Sequence, residues 1–178
     1  NTMFIELLKK RRSIRKFKDK PVEQEKINTL VEAVLRSPSS RSCNPWEFVV
    51  VTDPPLLDAL AQSKSHGSSF VKNAPLAVVV CADPAKSDVW IEDCSIAALV
   101  LHLEATDLGL GSCWVQIRSR EHGEGRASEE YIKKMLGLGD EMVVEAIVAI
   151  GYSGEEKKGH PDSSLLYEKV CYNKKHEL

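Results

Sequence analysis

The chain has 178 residues, an apolar fraction of 43% and a formal net charge of −2, which are ordinary values for a soluble globular protein. The balance of 24 basic and 26 acidic residues argues against a general nucleic-acid binder, which usually carries a basic surplus. No apolar run approaches the roughly 18 residues of a membrane span, and the N-terminus lacks the apolar stretch of a signal peptide. We therefore expect one cytoplasmic domain over residues 1–178, without membrane contact.

Two helices are predicted in the first 36 residues. In residues 2–12, Met3, Phe4, Leu7 and Leu8 share one helical face, so they should form an apolar stripe that faces the protein. Arg11 and Arg12 lie four residues after the two leucines and should point the same way. The second helix, residues 23–36, should bury a face made of Ile27, Leu30, Val31, Val34 and Leu35.

The remaining elements alternate between strands and helices. Apolar, β-branched runs predict strands at residues 46–52, 75–83, 112–117 and 142–152, and helical patterns cover 54–63, 88–108 and 128–136. Asp53 and Ser128 are expected to cap helices, and Gly109 to end one. Residues 37–45, 63–69, 119–125 and 153–164 are expected to be loops. Since three strands are apolar on both faces, we expect a central sheet covered by helices on each side.

The five cysteines do not indicate a disulfide or metal framework. They are odd in number, they never form C-x-x-C, and three lie in apolar runs where a thiol behaves as a small buried hydrophobe. The histidines show no metal-ligand spacing, so no metal site is predicted. Cys43 could be a nucleophile only with a base nearby. No histidine lies near it in sequence, which favours a structural or incidental role.

The segment GLGSCW at 109–114 contains G-x-G, but it does not predict a dinucleotide fingerprint. Trp114 stands where the third glycine would be, and the pair follows a helix and precedes a strand. The fingerprint requires the opposite order. A helix stop before a strand is the favoured interpretation.

The segment RRSIRKFKDK at residues 11–20 holds six of the 24 basic residues. A phosphate monoester can be satisfied by two or three guanidinium groups and a hydroxyl, and Arg11, Arg12, Ser13 and Arg15 offer that set. A solvated charged face and a nucleic-acid patch are the alternatives, and these residues alone do not decide between the three.

Four blocks together resemble the FMN-dependent nitroreductase family. They are R-R-S-x-R-x-F near the N-terminus, SPSSRSCNPWEF at 37–48, GLGSCWVQI at 109–117 and IVAIGYSGEEKKGH at 147–160. The resemblance covers nearly the whole chain in the expected order. It implies an α+β fold with a central mixed sheet flanked by helices, and an obligate homodimer with two FMN sites at its interface. It also implies a C-terminal tail that extends over the partner subunit.

The resemblance assigns cofactor contacts by position. Arg11, Arg12, Ser13 and Arg15 would bind the FMN phosphate and ribityl chain, and Lys158 and His160 would approach the same phosphate. Contacts to flavin, several of them from the partner subunit, would come from Pro38, Ser39, Ser40, Ser42 and Asn44. Gln116, Ile117 and Arg118 would run along the isoalloxazine, through backbone groups near its N5 and O4.

The implied activity is FMN-dependent NAD(P)H oxidation coupled to reduction of small acceptors such as nitroaromatics or quinones. Hydride transfer at flavin N5 requires no catalytic side chain, so none is predicted, and donor and acceptor would alternate at one flavin face. Arg118 at the flavin edge would favour an anionic acceptor unless it is a surface residue. The alternatives are a flavin-binding sensor or storage protein without turnover, and a dehalogenase or flavin-degrading relative on the same scaffold.

Overall fold

The structure is a computed structural model that describes residues 3–123 and 125–175. Thr2 of the first predicted helix, Glu124 of a predicted loop and the last three tail residues lie outside this range. The helices are α1 (Met3–Lys10), α2 (Gln24–Leu35), α3 (Pro54–Ala61), α4 (Trp90–Asp107) and α5 (Ser128–Leu136). The strands are β1 (Trp46–Val51), β2 (Leu76–Ala82), β3 (Gly111–Gln116), β4 (Glu121–His122), β5 (Arg126–Ala127) and β6 (Val143–Gly151).

The four predicted strands form one sheet in the order β1-β2-β6-β3, and every neighbouring pair is antiparallel. A parallel bridge between Ser13 and Ser112 adds the segment after α1 to the free edge of β3, which gives the sheet its mixed character. Strands β1 and β3 therefore lie at opposite edges. Three interstrand spacings, about 14 Å, separate them.

Helices cover both faces of the sheet, as the apolar pattern of the strands predicted. One buried cluster joins α2 and α4 to one face, and a second joins α3 and α5 to the other. Every residue of β2 is buried, and so is all of β6 after Val143. Strands buried on both sides carry no polar alternation, because neither face meets water.

Of the three residues predicted to cap or end a helix, two are confirmed. The side chain of Asp53 accepts a hydrogen bond from the Leu56 N–H at 3.2 Å and caps α3. Gly109 follows α4 with a φ of 73°, a left-handed conformation that glycine adopts without a Cβ clash. The prediction that Ser128 caps α5 is wrong: Ser128 is the first helical residue, and its buried Oγ has no hydrogen-bond partner in the described part of the chain.

The short hairpin β4–β5 was not predicted, because two-residue strands leave no periodicity to detect in a polar loop.

The prediction for α1 also needs correction. The helix ends at Lys10, before the two arginines, and its apolar side chains are largely exposed in this single chain: Met3 by 77%, Phe4 by 61% and Leu8 by 41%. Leu35 of α2, predicted to be buried, is 55% exposed.

Residues 161–175 after the last core strand are all exposed. They contain two short 3-10 turns, at Asp162–Ser164 and Tyr167–Lys169. Their exposed apolar side chains are Leu165, Leu166, Tyr167, Val170 and Tyr172. The tail therefore does not fold back into the core of its own chain. No helix within the described ranges is long and apolar enough to cross a membrane.

Candidate functional site

The basic segment, which we define as residues 11–16, is fixed against the edge of β3. The Ile14 N–H donates to the Ser112 carbonyl at 2.9 Å, next to the Ser13–Ser112 bridge. Gly111 makes this approach possible, because a Cβ at that position would lie 2.8 Å from the Ile14 side chain. The second glycine of GLGSCW thus serves close packing of the basic segment, and no nucleotide fingerprint is needed to explain it.

The late segment 152–160 lies along the basic segment, as its predicted phosphate role requires. The Lys18 N–H donates to the Tyr152 carbonyl at 2.8 Å, and the Gly154 N–H donates to the Lys16 carbonyl at 2.8 Å. One terminal nitrogen of Arg12 donates to the Lys158 carbonyl. The structure therefore brings the two predicted phosphate-binding segments together, although they are more than 130 residues apart in sequence. Lys158 and His160 themselves are exposed.

The arginines in the described part of the chain differ in their side-chain partners. Arg36, Arg41 and Arg118 each pair with a carboxylate at 2.7–3.1 Å. Arg11 and Arg15, by contrast, have no side-chain hydrogen bond or ion pair to any residue in the described ranges. Guanidinium groups that are gathered at the edge of the sheet without carboxylate partners are suited to an external anion.

A buried histidine lies next to this cluster. His102 of α4 is 6% exposed, and its Nδ1 lies 2.7 Å from the hydroxyl of Ser112, which is itself 1% exposed. Burial, followed by the positive charge of Arg11, lowers the pKa of His102 to about 4. The imidazole is therefore neutral at neutral pH, and it adds no positive charge beneath the basic segment.

The turn Gln116–Arg118 follows β3, at the far end of the strand from the basic segment. Ser112 and Gln116 are four residues apart, about 13 Å along an extended strand. The side chain of Gln116 accepts from Trp114 Nε1 at 3.0 Å and donates to the Arg118 carbonyl at 2.9 Å. A site for the FMN phosphate and a site for the isoalloxazine ring would thus lie at opposite ends of β3.

Glu145 of the neighbouring strand β6 holds this turn by hydrogen bonds. Its carbonyl accepts the N–H groups of both Ile117 and Arg118, at 3.1 and 3.0 Å, and its carboxylate lies 3.1 Å from Arg118 Nε. Burial raises the pKa of the Glu145 carboxyl, and Arg118 opposes that shift. The side chain of Ile117 is fully buried. The predicted contact of these two backbone amides with flavin stays a prediction, and it requires them to share their hydrogens with the Glu145 carbonyl.

The loop 38–44 is held in an uncommon conformation. Arg41, Ser42 and Asn44 all have positive φ, between 45° and 54°, although few non-glycine residues do so. The Ser39 hydroxyl oxygen accepts the Asn44 N–H at 2.9 Å and lies 2.7 Å from the Asn44 side-chain oxygen. Such a fixed backbone at a polar loop is typical of a binding segment.

A buried carboxylate anchors the same loop to α4. Asp93, which is 2% exposed, accepts the Ser40 N–H at 2.8 Å through one oxygen and the Ser87 hydroxyl at 2.8 Å through the other. The loop leads into β1, at the sheet edge opposite to the basic segment. A single chain therefore does not bring Pro38, Ser39, Ser40, Ser42 and Asn44 to the predicted phosphate site.

Sequence reasoning did not find the residues that support these segments, namely Asp93, His102, Ser112, Glu145, Glu155 and Lys157. A signal was available for two of them. Asp93 and Glu145 are single carboxylates inside otherwise apolar elements, and a buried charge requires a partner. Glu155 and Lys157 lie in a polar loop among other charged residues, and the sequence alone does not distinguish them from these neighbours.

Cysteine and metal chemistry receive no support from the geometry. Cys81, Cys94 and Cys113 are buried, and burial raises the pKa of the Cys81 and Cys94 thiols to about 12. Both therefore stay protonated at neutral pH. Cys43 is half-buried in the loop. Within the described ranges, no three His, Cys, Asp or Glu side chains are grouped closely enough to hold a metal ion.

Comparison with known proteins identifies the family. The sequence profile of the Nitroreductase family matches residues 8–67 and 59–152. The fold resembles that of an FMN-dependent nitroreductase from Clostridium difficile R20291, with 50% identity, a TM-score of 0.94, and 96% and 99% of the two chains covered. It also resembles a Vibrio harveyi NADPH:FMN oxidoreductase in complex with NAD+, with 25% identity, a TM-score of 0.80, and coverage of 98% and 79%.

A sequence relative supports the same assignment. The chain is 28% identical to an NADH dehydrogenase from Thermus thermophilus over 90% of its length and 91% of the relative's. The four sequence blocks, the sheet with its added N-terminal segment and the family profile agree with one another. The chain belongs to the nitroreductase family of oxidoreductases.

Proposed function

We propose that the protein is an FMN-dependent NAD(P)H oxidoreductase that reduces small organic acceptors such as nitroaromatics or quinones. The observation that carries this proposal is the pair of guanidinium groups of Arg11 and Arg15, at the sheet edge where the late segment 152–160 joins the basic segment. Neither group has a hydrogen-bond or ion-pair partner among the described residues. A terminal phosphate monoester, which FMN has and FAD lacks, suits such a cluster. The names of the similar proteins support FMN and a nicotinamide donor.

The residues of this chain would act mainly by binding and orientation. The guanidinium groups of Arg11 and Arg15 and the hydroxyl of Ser13 would hold the phosphate, with Lys158 and His160 adding positive charge from the late segment. The turn Gln116–Arg118 would lie beside the ring, about 13 Å away along β3. FMN, when bound by these residues, would supply the hydride-transfer chemistry between NAD(P)H and the acceptor.

We further propose that the working unit is a homodimer. In the single chain, loop 38–44 lies across the sheet from the basic segment, so a second copy is needed to bring this loop to the flavin. The apolar faces that one chain leaves exposed fit this requirement. They comprise Met3, Phe4, Ile5 and Leu8 of α1, Ile96 and Leu99 of α4, and the tail residues from Leu165 onward. Exposed apolar side chains grouped on α1, on α4 and along the tail are the kind of surface that a partner subunit covers.

The edge strand β1 offers the tail of a second copy a place to bind. An apolar cavity of about 410 Å³ lies between α2, α4 and the outer half of the sheet, and Leu35 and Val50 are exposed at its mouth. An exposed apolar residue on an edge strand, as Val50 is on β1, normally requires a cover. The tail carries five apolar side chains that are exposed in its own chain, so it would provide that cover across the dimer.

Anaerobic reduction tests the activity. Protein loaded with FMN is mixed with NADH or NADPH, and the yellow flavin absorption is followed before and after addition of a nitroaromatic or a quinone. We expect the band to bleach with at least one nicotinamide and to return when the acceptor is added. Loaded protein whose flavin neither nicotinamide reduces would contradict the proposal and favour a binding protein without turnover.

A further inference from the structure

Two charged side chains of the late segment contact the main chain of the basic segment. One carboxylate oxygen of Glu155 accepts the N–H groups of Arg15 and Lys16, at 2.7 and 3.2 Å. The ammonium group of Lys157 donates to the Ser13 carbonyl at 2.8 Å and lies 3.2 Å from the same Glu155 oxygen. The two side chains therefore form an ion pair that is hydrogen-bonded to three successive peptide groups of the basic segment.

We propose that Glu155 and Lys157 are positioning residues for the phosphate of the cofactor, an inference that rests on the proposed function. Glu155 fixes the backbone of Arg15, and Lys157 fixes the backbone of Ser13. These two anchors determine where the Arg15 guanidinium and the Ser13 hydroxyl are presented. Neither Glu155 nor Lys157 needs to touch the phosphate in this role.

The physical need for such anchors follows from the charge of the segment. Arg11, Arg12, Arg15 and Lys16 lie within six residues, and like charges at this spacing repel one another. Among the described residues, the segment pairs with a strand of the main sheet only through the bridge at Ser13, so further bonds to its backbone help to oppose this repulsion. A carboxylate that accepts two successive N–H groups holds the backbone and offsets part of the positive charge. These hydrogen bonds also lower the pKa of Glu155, so the carboxylate stays ionised at neutral pH.

Glu155 is itself held in place from the other side. Its N–H donates to the Ser153 hydroxyl at 3.3 Å, and the same hydroxyl donates to the Glu155 carbonyl. Ser153 forms an antiparallel bridge with Phe17. The side chain of Glu155 is 18% exposed and that of Lys157 is 27% exposed, so water screens their pairing only in part. Because Glu155 is bonded both to the basic segment and to Ser153, it can hold the backbone of Arg15 in one position.

The alternative is that the pair only stabilises the fold. The two roles differ in one measurable respect, because a phosphate-positioning role affects FMN but not riboflavin, which lacks the phosphate. A general loss of structure weakens the binding of both flavins equally. The ratio of the two affinities therefore separates the roles.

The experiment measures FMN and riboflavin dissociation constants by flavin fluorescence, at fixed salt, for Glu155→Ala, Glu155→Gln and Lys157→Met. Glu156→Gln, a change at the exposed neighbouring carboxylate, is the matched control. We expect Glu155→Ala and Lys157→Met to weaken FMN binding about tenfold with riboflavin binding unchanged. Glu155→Gln should weaken it less, since its amide oxygen still accepts the two N–H groups. The control should match the unmodified protein.

Thermal melting of the FMN-free proteins gives a second measurement. Inorganic phosphate should raise the melting temperature of the unmodified protein and of the control, and should raise that of Glu155→Gln and Lys157→Met by less. Equal losses of FMN and riboflavin affinity, or an unchanged FMN affinity in all three variants, would overturn the proposed role. An unmodified protein that binds no FMN would instead overturn the proposed function itself.

Discussion

The buried imidazole of His102 makes the stability of the protein depend on pH. Its pKa of about 4 in the folded chain lies below the ordinary value of 6.5. Between about pH 4 and pH 6.5, this histidine is therefore mostly protonated in the unfolded chain and mostly neutral in the folded chain. The stabilising contribution is therefore complete above about pH 6.5 and is lost as the pH falls toward about 4. A shift of this size is worth about 3 kcal/mol in total, at about 1.4 kcal/mol per pH unit.

About 2 kcal/mol of this contribution should disappear between pH 7 and pH 5. Carboxyl groups also titrate below neutral pH, and burial raises the pKa of Glu129 and Glu145, which acts in the opposite direction. The pH dependence of stability must therefore be compared between two proteins that have the same carboxyl groups and differ only at His102. His102→Asn removes the titration while it keeps a polar partner near the Ser112 hydroxyl.

Urea unfolding of FMN-free protein at a fixed concentration, at pH 7 and pH 5, measures the effect. Between the two pH values the unmodified protein should lose about 2 kcal/mol more stability than His102→Asn. His66→Asn, in the exposed loop after α3, should keep the unmodified pH dependence. An identical pH dependence in the unmodified protein and His102→Asn would refute the reasoning, because it would mean that the imidazole titrates normally in the fold.

Three further results are expected. Arg11→Ala or Arg15→Ala should weaken FMN binding by about 1.5–3 kcal/mol in a titration, the scale of a hydrogen bond to a charged group, whereas Lys18→Ala or Lys20→Ala should change it little; equal effects at all four positions would indicate a diffuse charge effect. Initial rates should give parallel double-reciprocal lines, since donor and acceptor would alternate at one flavin face, and converging lines would count against a shared site. Truncation after Ser163 should lower both the dimer mass and the flavin content, and a truncated protein that remains dimeric and fully loaded would show that the tail does not hold the interface.

The main elements of the fold could be predicted because their apolar patterns are long. Strand β2 and most of β6 are buried on both faces, and such uninterrupted apolar runs leave few other structures open. The end of α4 at Gly109 followed from one residue type. The exposure of Leu8 and Leu35 could not be predicted, since an apolar stripe has the same pattern whether it packs against its own chain or against a second one.

The residues of the proposed phosphate site could be predicted in part. The basic residues and their order left a phosphate site, a solvated face and a nucleic-acid patch open. Tertiary contacts then distinguish Arg12, which bonds to the Lys158 carbonyl, from Arg11 and Arg15, whose side chains have no such partner among the described residues. The anchors Glu155 and Lys157 were missed for the same reason. Asp93 and Glu145 could have been suspected, because a lone carboxylate in an apolar element costs free energy unless something binds it.

The flavin that accompanies the purified protein is the most direct test of the central claim. The protein is purified without added cofactor, the bound flavin is released by denaturation and identified by chromatography, and protein without flavin is then titrated with FMN, FAD and riboflavin. The account predicts FMN as the bound species, with one FMN per chain at saturation and weaker binding of the other two flavins. A protein that carries no flavin and binds none of the three, or that prefers FAD, would contradict it.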